Sequence, residues 1–244
     1  QTFVLDGRRG IIEAEQVEQA VRFADVHFPP SRLVWVENTH NRGGGTVFPL
    51  EKLKQIQQTA SGYGMSLHMD GARLFHACVA GDVPPEVYAG SVDSLGFCFS
   101  KGLGAPVGSI VAGSADFIKR VHRYRKMLGG GMRQAGILAA AALYALDHNI
   151  ERLAEDHENA QRLAQALADI DGVKVTNEPV ETNLIFFDIS GTGKNALEIM
   201  HEAREHGLLV LPENFVEMRA VTHLDVSAAD IERAIEIFRN IFRK

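Results

Sequence analysis

The chain has 244 residues, 45% of them hydrophobic and 23% charged, which is enough apolar content for one large domain or a large plus a small one. A net charge of −6 leaves no basic footprint and argues against nucleic acid or an anionic membrane as partners. No apolar run reaches bilayer length, no basic-then-apolar leader opens the chain, and the two cysteines, Cys78 and Cys98, build no disulfide framework; the expectation is a soluble, cytoplasmic protein with buried free thiols.

In chain order, the opening "QTFVLDGRRG" reads as the interior of a domain rather than its start. Strands are expected at Arg32 to Asn38, Met65 to Asp70, Ser94 to Ser100 and Val107 to Gly113. Between the first two, "PLEKLKQIQQTASGYG" has Pro at its start and Gly at its end, as a helix prefers. Apolar strands joined by helices predict an α/β domain with a mostly parallel sheet buried on both sides. From Ala115 the pattern turns helical through three stretches, the last beginning at Glu151. Beyond Gly172 come strands in "VKVTN", "TNLIFFDIS", "LLVLPE" and "EMRAVTH", interleaved with helices at Asn195 to His206 and Ala228 to Arg243. The expected organisation is a large domain over residues 1–150 and a small α+β domain over residues 151–244.

In open α/β sheets the ligand crevice lies beyond the carboxyl ends of the strands. Here those ends carry "VENTHNRGGG", "HMDGAR" and "FSKGLG", so an acid, a lysine and an arginine are expected to meet in one crevice. A fixed lysine amine and a buried carboxylate without a metal cluster suit a Schiff-base lysine with pyridoxal phosphate, the carboxylate keeping the pyridine nitrogen protonated. Asp70 and Lys101, 31 residues apart, are the pair in question. Plainer readings stand beside this one. Lys101 can be a surface lysine, Asp70-Gly71 a turn and helix cap, and His68 with Asp70 two ligands of a metal whose third ligand is not visible. The spacing of a Walker phosphate loop is absent. In "RKMLGGGMRQAG" three glycines flanked by Lys126 and Arg133 can present amides to an anion, or simply form a hinge between helices.

Together, "VENTHNRGGG", "HMDGARLFHA", "FSKGLGAPVGS", "RKMLGGGMRQAGILAAAALYAL" and "RAVTHLDVS" resemble the L-threonine aldolases, pyridoxal-phosphate enzymes with the aspartate aminotransferase type of fold, over essentially the whole chain. The resemblance implies a fold type I large domain and aldol cleavage of L-threonine, L-allo-threonine and related β-hydroxy-α-amino acids to glycine and an aldehyde. It implies that Lys101 forms the Schiff base, that Asp70 pairs with the pyridine nitrogen, and that Arg73 lies against cofactor and substrate carboxylate. Lys126 and Arg133 then serve the phosphate and carboxylate region across a subunit interface, Arg219 is a second carboxylate contact, and His27 faces the substrate hydroxyl. A homo-oligomer, dimer or tetramer, with its sites near that interface is expected, taking a small amino acid as partner. Family members carry a Ser/Gly/Thr-type phosphate loop and a ring-stacking histidine ahead of the region aligned with Gln1. Their absence here suggests a chain short of its first quarter or so. Two other readings stay open: a different reaction of the same cofactor, such as β-elimination or transamination, and a cofactor-binding piece inactive without that opening segment.

Overall fold

The computed structural model describes residues 1–23 and 25–243. The chain divides into two units, one of Gln1–His40 with Val47–Glu151, the other of Asn41–Thr46 with the residues from Arg152 onward.

The first unit contains α1 (Ala14–Ala20), β1 (Leu33–Glu37), α2 (Leu50–Gly62), β2 (Ser66–Asp70), α3 (Leu74–Gly81), α4 (Pro85–Ala89), β3 (Ser94–Cys98), β4 (Ser109–Gly113), α5 (Ala115–Met127) and α6 (Gly136–His148). Its sheet runs β1-β2-β3-β4, with β1, β2 and β3 parallel and β4 antiparallel to β3. This is the mostly parallel α/β sheet the apolar runs predict. α2 follows Pro49 and ends where Gly64 takes a φ of 66°, a conformation open to glycine at no steric cost. Val34, Val36, Leu67 and Met69 point to one face of the sheet and pack with Leu53, Ile56 and Ala60 of α2, with Phe48 and Tyr88 completing that core.

Burial on both faces, as expected from the sequence, is not what the structure shows. β1 and β2 alternate buried and accessible residues, Leu33 and Trp35 are 53% and 59% exposed, and every residue of β4 is exposed. The period-two alternation of side chains explains β1 and β2, whose buried residues pack on α2, while β4 shows no alternation.

The cysteines differ from one another. Cys78 in α3 is buried, and burial, reinforced by Glu86, pushes its thiol up to about 12; Cys98 at the end of β3 is only half-buried. Since the thiolate is the reactive form, Cys78 is expected to stay unalkylated by iodoacetamide at pH 8 in the folded protein and to react on unfolding. Peptide mapping of labelled protein checks this, and rapid native labelling of Cys78 contradicts it.

The second unit contains α7 (Leu153–Ala168), β5 (Lys174–Val175), β6 (Leu184–Asp188), α8 (Ala196–Glu205), β7 (Leu211–Pro212), β8 (Glu217–Val221) and α9 (Ala228–Phe242). Its sheet, β5-β6-β8-β7, is antiparallel throughout. Ile185 and Phe187 of β6, Met218 of β8 and Phe238 of α9 lie in its core. Capping boxes at Asn195 with Glu198 and at Ser227 with Asp230 fix the starts of α8 and α9.

The second unit takes in one stretch from early in the chain. The stretch Asn41–Thr46, which linear reading assigns to residues 1–150, belongs to the second unit. Asn177 Nδ2 donates to the carbonyl of Gly44 at 2.9 Å and Thr182 Oγ1 to that of Gly45 at 2.8 Å, while Arg42 pairs with Glu213. A Cβ on Gly45, whose φ is 74°, would overlap Thr182 Oγ1, so glycine is required there twice over.

Candidate functional site

The site is built at the carboxyl end of the parallel strands of the first unit. Register sets Glu37, Asp70 and Gly96 at one level across β1, β2 and β3. Just beyond, the Asn38 amide donates to the Asp70 carbonyl at 2.9 Å and the Gly71 amide to the Gly96 carbonyl at 2.8 Å, so the three chains remain tied where they leave the sheet. Gly71 is confined: a Cβ there would lie 3.0 Å from the Gly96 oxygen and 3.1 Å from Leu74 Cβ.

Asp70 is half-buried, and its Oδ1 accepts a hydrogen bond from the Ala72 amide at 3.1 Å. The turn role weighed from the sequence is therefore present, and it uses one oxygen of the carboxylate. Arg73 is the residue from which α3 starts, in a non-helical conformation with φ −125°, half-buried and three residues past Asp70.

Lys101 follows β3 by three residues in a tight loop, with the Gly104 amide donating to its carbonyl at 2.8 Å. The Ala105 amide returns to the Phe99 carbonyl at 3.0 Å, the Phe99 amide bonds the Gly108 carbonyl at 2.9 Å, and Asn149 Nδ2 reaches the Leu103 carbonyl at 2.7 Å. Gly102 and Leu103 are buried and Lys101 is half-buried. The lysine thus leaves a pinned backbone, and α6, through its C-cap residue Asn149, is one of the pins. Asp70 is the last residue of β2, and Lys101 comes three residues after the neighbouring parallel strand β3.

His68, on the same face of β2 as Asp70, bonds Ser94 Oγ at 2.8 Å and packs on Trp35 with ring centroids 4.5 Å apart. Burial lowers its affinity for a proton, against the pull of the Asp70 carboxylate. Among the described residues no group of three or more His, Cys, Asp or Glu side chains is arranged to hold a metal.

The other sequence candidates are carried by other segments of the chain. His27 sits in an exposed turn, its side chain 83% accessible, and both its amide and its Nδ1 bond Asp25 Oδ1, at 2.8 and 2.7 Å. Those two bonds, the backbone one first, hold the Asp25 carboxyl below the usual carboxylate range. Lys126 and Arg133 are exposed on either side of Gly129 to Gly131. Lys126, with His122, Arg123, Arg125, Met127 and Gly131, lines a shallow hollow of about 380 Å³; Arg133 does not. In the second unit, Arg219 on β8 pairs through Nη1 with Glu213 Oε1 at 3.3 Å, and Glu213 also holds Arg42. Arg219 Nε is buried and makes no hydrogen bond among the described residues.

Sequence reasoning did not single out Arg42, Glu213, His76 or Asn149. Each acts through contacts with residues distant in the chain, and only the run "NRGGG" offered a local hint, for Arg42.

Compared with known proteins, residues 2–191 match the beta-eliminating lyase family. The chain belongs to that family. Among curated relatives, this beta-eliminating lyase homologue is 39% identical over 233 residues to low-specificity L-threonine aldolase 1 of Arabidopsis thaliana, covering 94% of this chain and 65% of the relative. It is 42% identical over 218 residues to low specificity L-threonine aldolase of Escherichia coli K12, covering 89% and 62%. The chain therefore spans somewhat under two thirds of the length of these relatives. Leishmania major threonine aldolase superposes with a TM-score of 0.79 at 20% identity, covering 98% of this chain and 69% of that one. The fold is that of the type I pyridoxal-phosphate enzymes, as the motifs implied.

Proposed function

We propose that the protein to which this chain belongs is a pyridoxal-phosphate-dependent aldolase that cleaves L-threonine, L-allo-threonine and related β-hydroxy-α-amino acids to glycine and an aldehyde. The observation that carries this reading is the placement of Asp70 at the end of β2 and of Lys101 three residues after its parallel neighbour β3, in a chain 39% and 42% identical to proteins named L-threonine aldolases. The donor set fits the cofactor: an amine on a pinned loop can bond an aldehyde, and a half-buried carboxylate can face a protonated ring nitrogen. When bound, pyridoxal phosphate supplies an electron sink for the substrate Cα.

Around that sink the chain's own residues divide the work. Asp70 keeps a proton on the ring nitrogen, using the charge that its bond to the Ala72 amide leaves in place. Lys101 Nζ would hold the cofactor through its aldehyde. Arg73 binds the substrate carboxylate and so orients Cα, and Arg219, with a buried Nε donor to spare, is the second guanidinium in this role. Asp25 accepts from His27 Nδ1, which fixes the tautomer with a lone pair on Nε2, the atom that takes the proton of the β-hydroxyl. Lys126 and Arg133 serve the phosphate and carboxylate region of a neighbouring subunit in a dimer or tetramer, a reading supported by the exposed Met127, Leu128, Met132 and Ile137 beside them. The free thiols favour a reducing compartment such as the cytoplasm.

In the full-length enzyme, Arg73→Lys and Arg219→Lys are each expected to raise KM for threonine by roughly ten- to a hundredfold, the scale of a hydrogen bond to a charged group, with cofactor affinity nearly unchanged. Steady-state kinetics beside a cofactor titration check this, and unchanged KM in both variants contradicts it. His27→Ala is expected to lower kcat by roughly 10²–10⁴, with a smaller loss for Asp25→Asn, because general-base assistance is worth that much. Wild-type kcat in His27→Ala removes the histidine from the mechanism.

Product analysis tests the reaction class. Full-length protein with pyridoxal phosphate and L-threonine is expected to release glycine and acetaldehyde in equal amounts. Formation of an oxo-acid instead supports elimination or transamination and overturns the aldolase reading.

A further inference from the structure

We propose that His76 is a positioning residue that sets where Lys101 stands relative to Asp70. The proposal rests on the reading above, that Lys101 is the lysine that bonds the cofactor.

His76 is the third residue of α3 and only 2% exposed. A Cβ on Gly102 would overlap its Nε2, far inside van der Waals contact, and would lie 2.9 and 3.0 Å from Cε1 and Cδ2. The imidazole edge therefore rests directly on the backbone of the residue after the lysine. Gly102 is absent from the positive-φ glycines, so its conformation is one any residue adopts. Glycine is required there because the histidine occupies the space of a side chain, and a buried ring in a close-packed site has nowhere to swing.

The consequence follows from where α3 begins. Arg73, from which the helix starts, comes three residues after Asp70, and the Gly71 amide ties this stretch to the Gly96 carbonyl of β3. His76 is thus carried by the segment that leaves the Asp70 strand, and it bears on the loop that leaves the Lys101 strand. With Asn149 holding the Leu103 carbonyl from the side of α6, the lysine loop is fixed at two successive residues. A catalytic lysine displaced by about 1 Å can lose 10²-fold in rate, so this contact acts on chemistry without touching substrate.

The test uses full-length protein as Gly102→Ala, His76→Ala and the double variant. Readouts are affinity for pyridoxal phosphate by visible absorbance, kcat with threonine, and melting temperature of the cofactor-free protein. Gly102→Ala is expected to lose on the order of 10²-fold in kcat and to bind cofactor more weakly, because the new methyl drives the loop off the ring. His76→Ala opens room for that methyl, so the double variant is expected to recover most of what Gly102→Ala loses, a non-additive result that a general loss of stability does not produce. Where Gly102→Ala yields no folded protein, recovery of folded protein in the double variant supports the contact and its absence overturns it. Wild-type affinity and kcat in Gly102→Ala, or a double variant as impaired as the two singles combined, overturn the proposal while leaving the role of Lys101 intact. A wild-type protein that fixes the cofactor on another lysine, or on none, overturns both.

Discussion

Lys101→Ala in the full-length protein is expected to abolish the visible absorbance of lysine-bound pyridoxal phosphate and to lower threonine cleavage by more than the roughly 10²–10⁴-fold that a single acid–base group is worth. The size of the effect follows from the two duties joined in one atom, since Nζ both holds the cofactor aldehyde and is the amine that substrate displaces. Lys101 is half-buried, and the bonds that pin its loop run through backbone groups of Phe99, Lys101, Gly104, Ala105 and Gly108 and through Asn149 to the Leu103 carbonyl. None of them uses the lysine amine. Alanine keeps every one, so a thermal melt of the variant beside its kinetics separates a loss of chemistry from a loss of fold. An absorbance band and turnover that persist in Lys101→Ala contradict the role.

Asp70→Asn carries the second large effect. Asparagine retains an oxygen able to accept from the Ala72 amide, so the turn after β2 survives, while the negative charge is gone. Turnover is expected to fall by about 10²–10³-fold, the scale for removing one preorganised electrostatic contact to the reacting system, with the fold retained. Asp70→Ala loses the turn contact as well and is expected to be both inactive and less stable. Wild-type kinetics in Asp70→Asn, with destabilisation only in Asp70→Ala, identify this carboxylate as a turn residue and nothing more. Kinetics and thermal melts of the two variants together make the distinction.

These two residues were legible because their signals are local. A strand of period two that ends in Asp-Gly, and another that ends in Ser-Lys-Gly, each fit within a few residues, and α2, between β1 and β2, carries its own Pro and Gly signals. The elements that escaped are those without such a signal. In α3, Leu74 to Cys78 are all buried, so the helix has no polar face to give it a period, and it starts from Arg73 without a side-chain cap. The strands expected in "VKVTN" and "LLVLPE" are present but shorter, two residues each in β5 and β7, their length set by pairing with β6 and β8. The assignment of Asn41–Thr46 to the second unit depends on Asn177 and Thr182, more than 130 residues away in sequence. The Arg42, Glu213 and Arg219 group is of the same kind, since an ion pair spanning 171 residues leaves no mark on either stretch alone. Which apolar strand residues of the first sheet stay exposed was not legible, because composition cannot tell an apolar residue in a core from one, such as Leu33 or Trp35, at an open face.

The account stands or falls on which amine holds the cofactor. Full-length protein loaded with pyridoxal phosphate, reduced with borohydride and digested, is expected to carry the reduced adduct on the peptide containing Lys101 and to carry it stoichiometrically. An adduct on Lys126 or any other lysine, or a loaded protein that yields none, contradicts it.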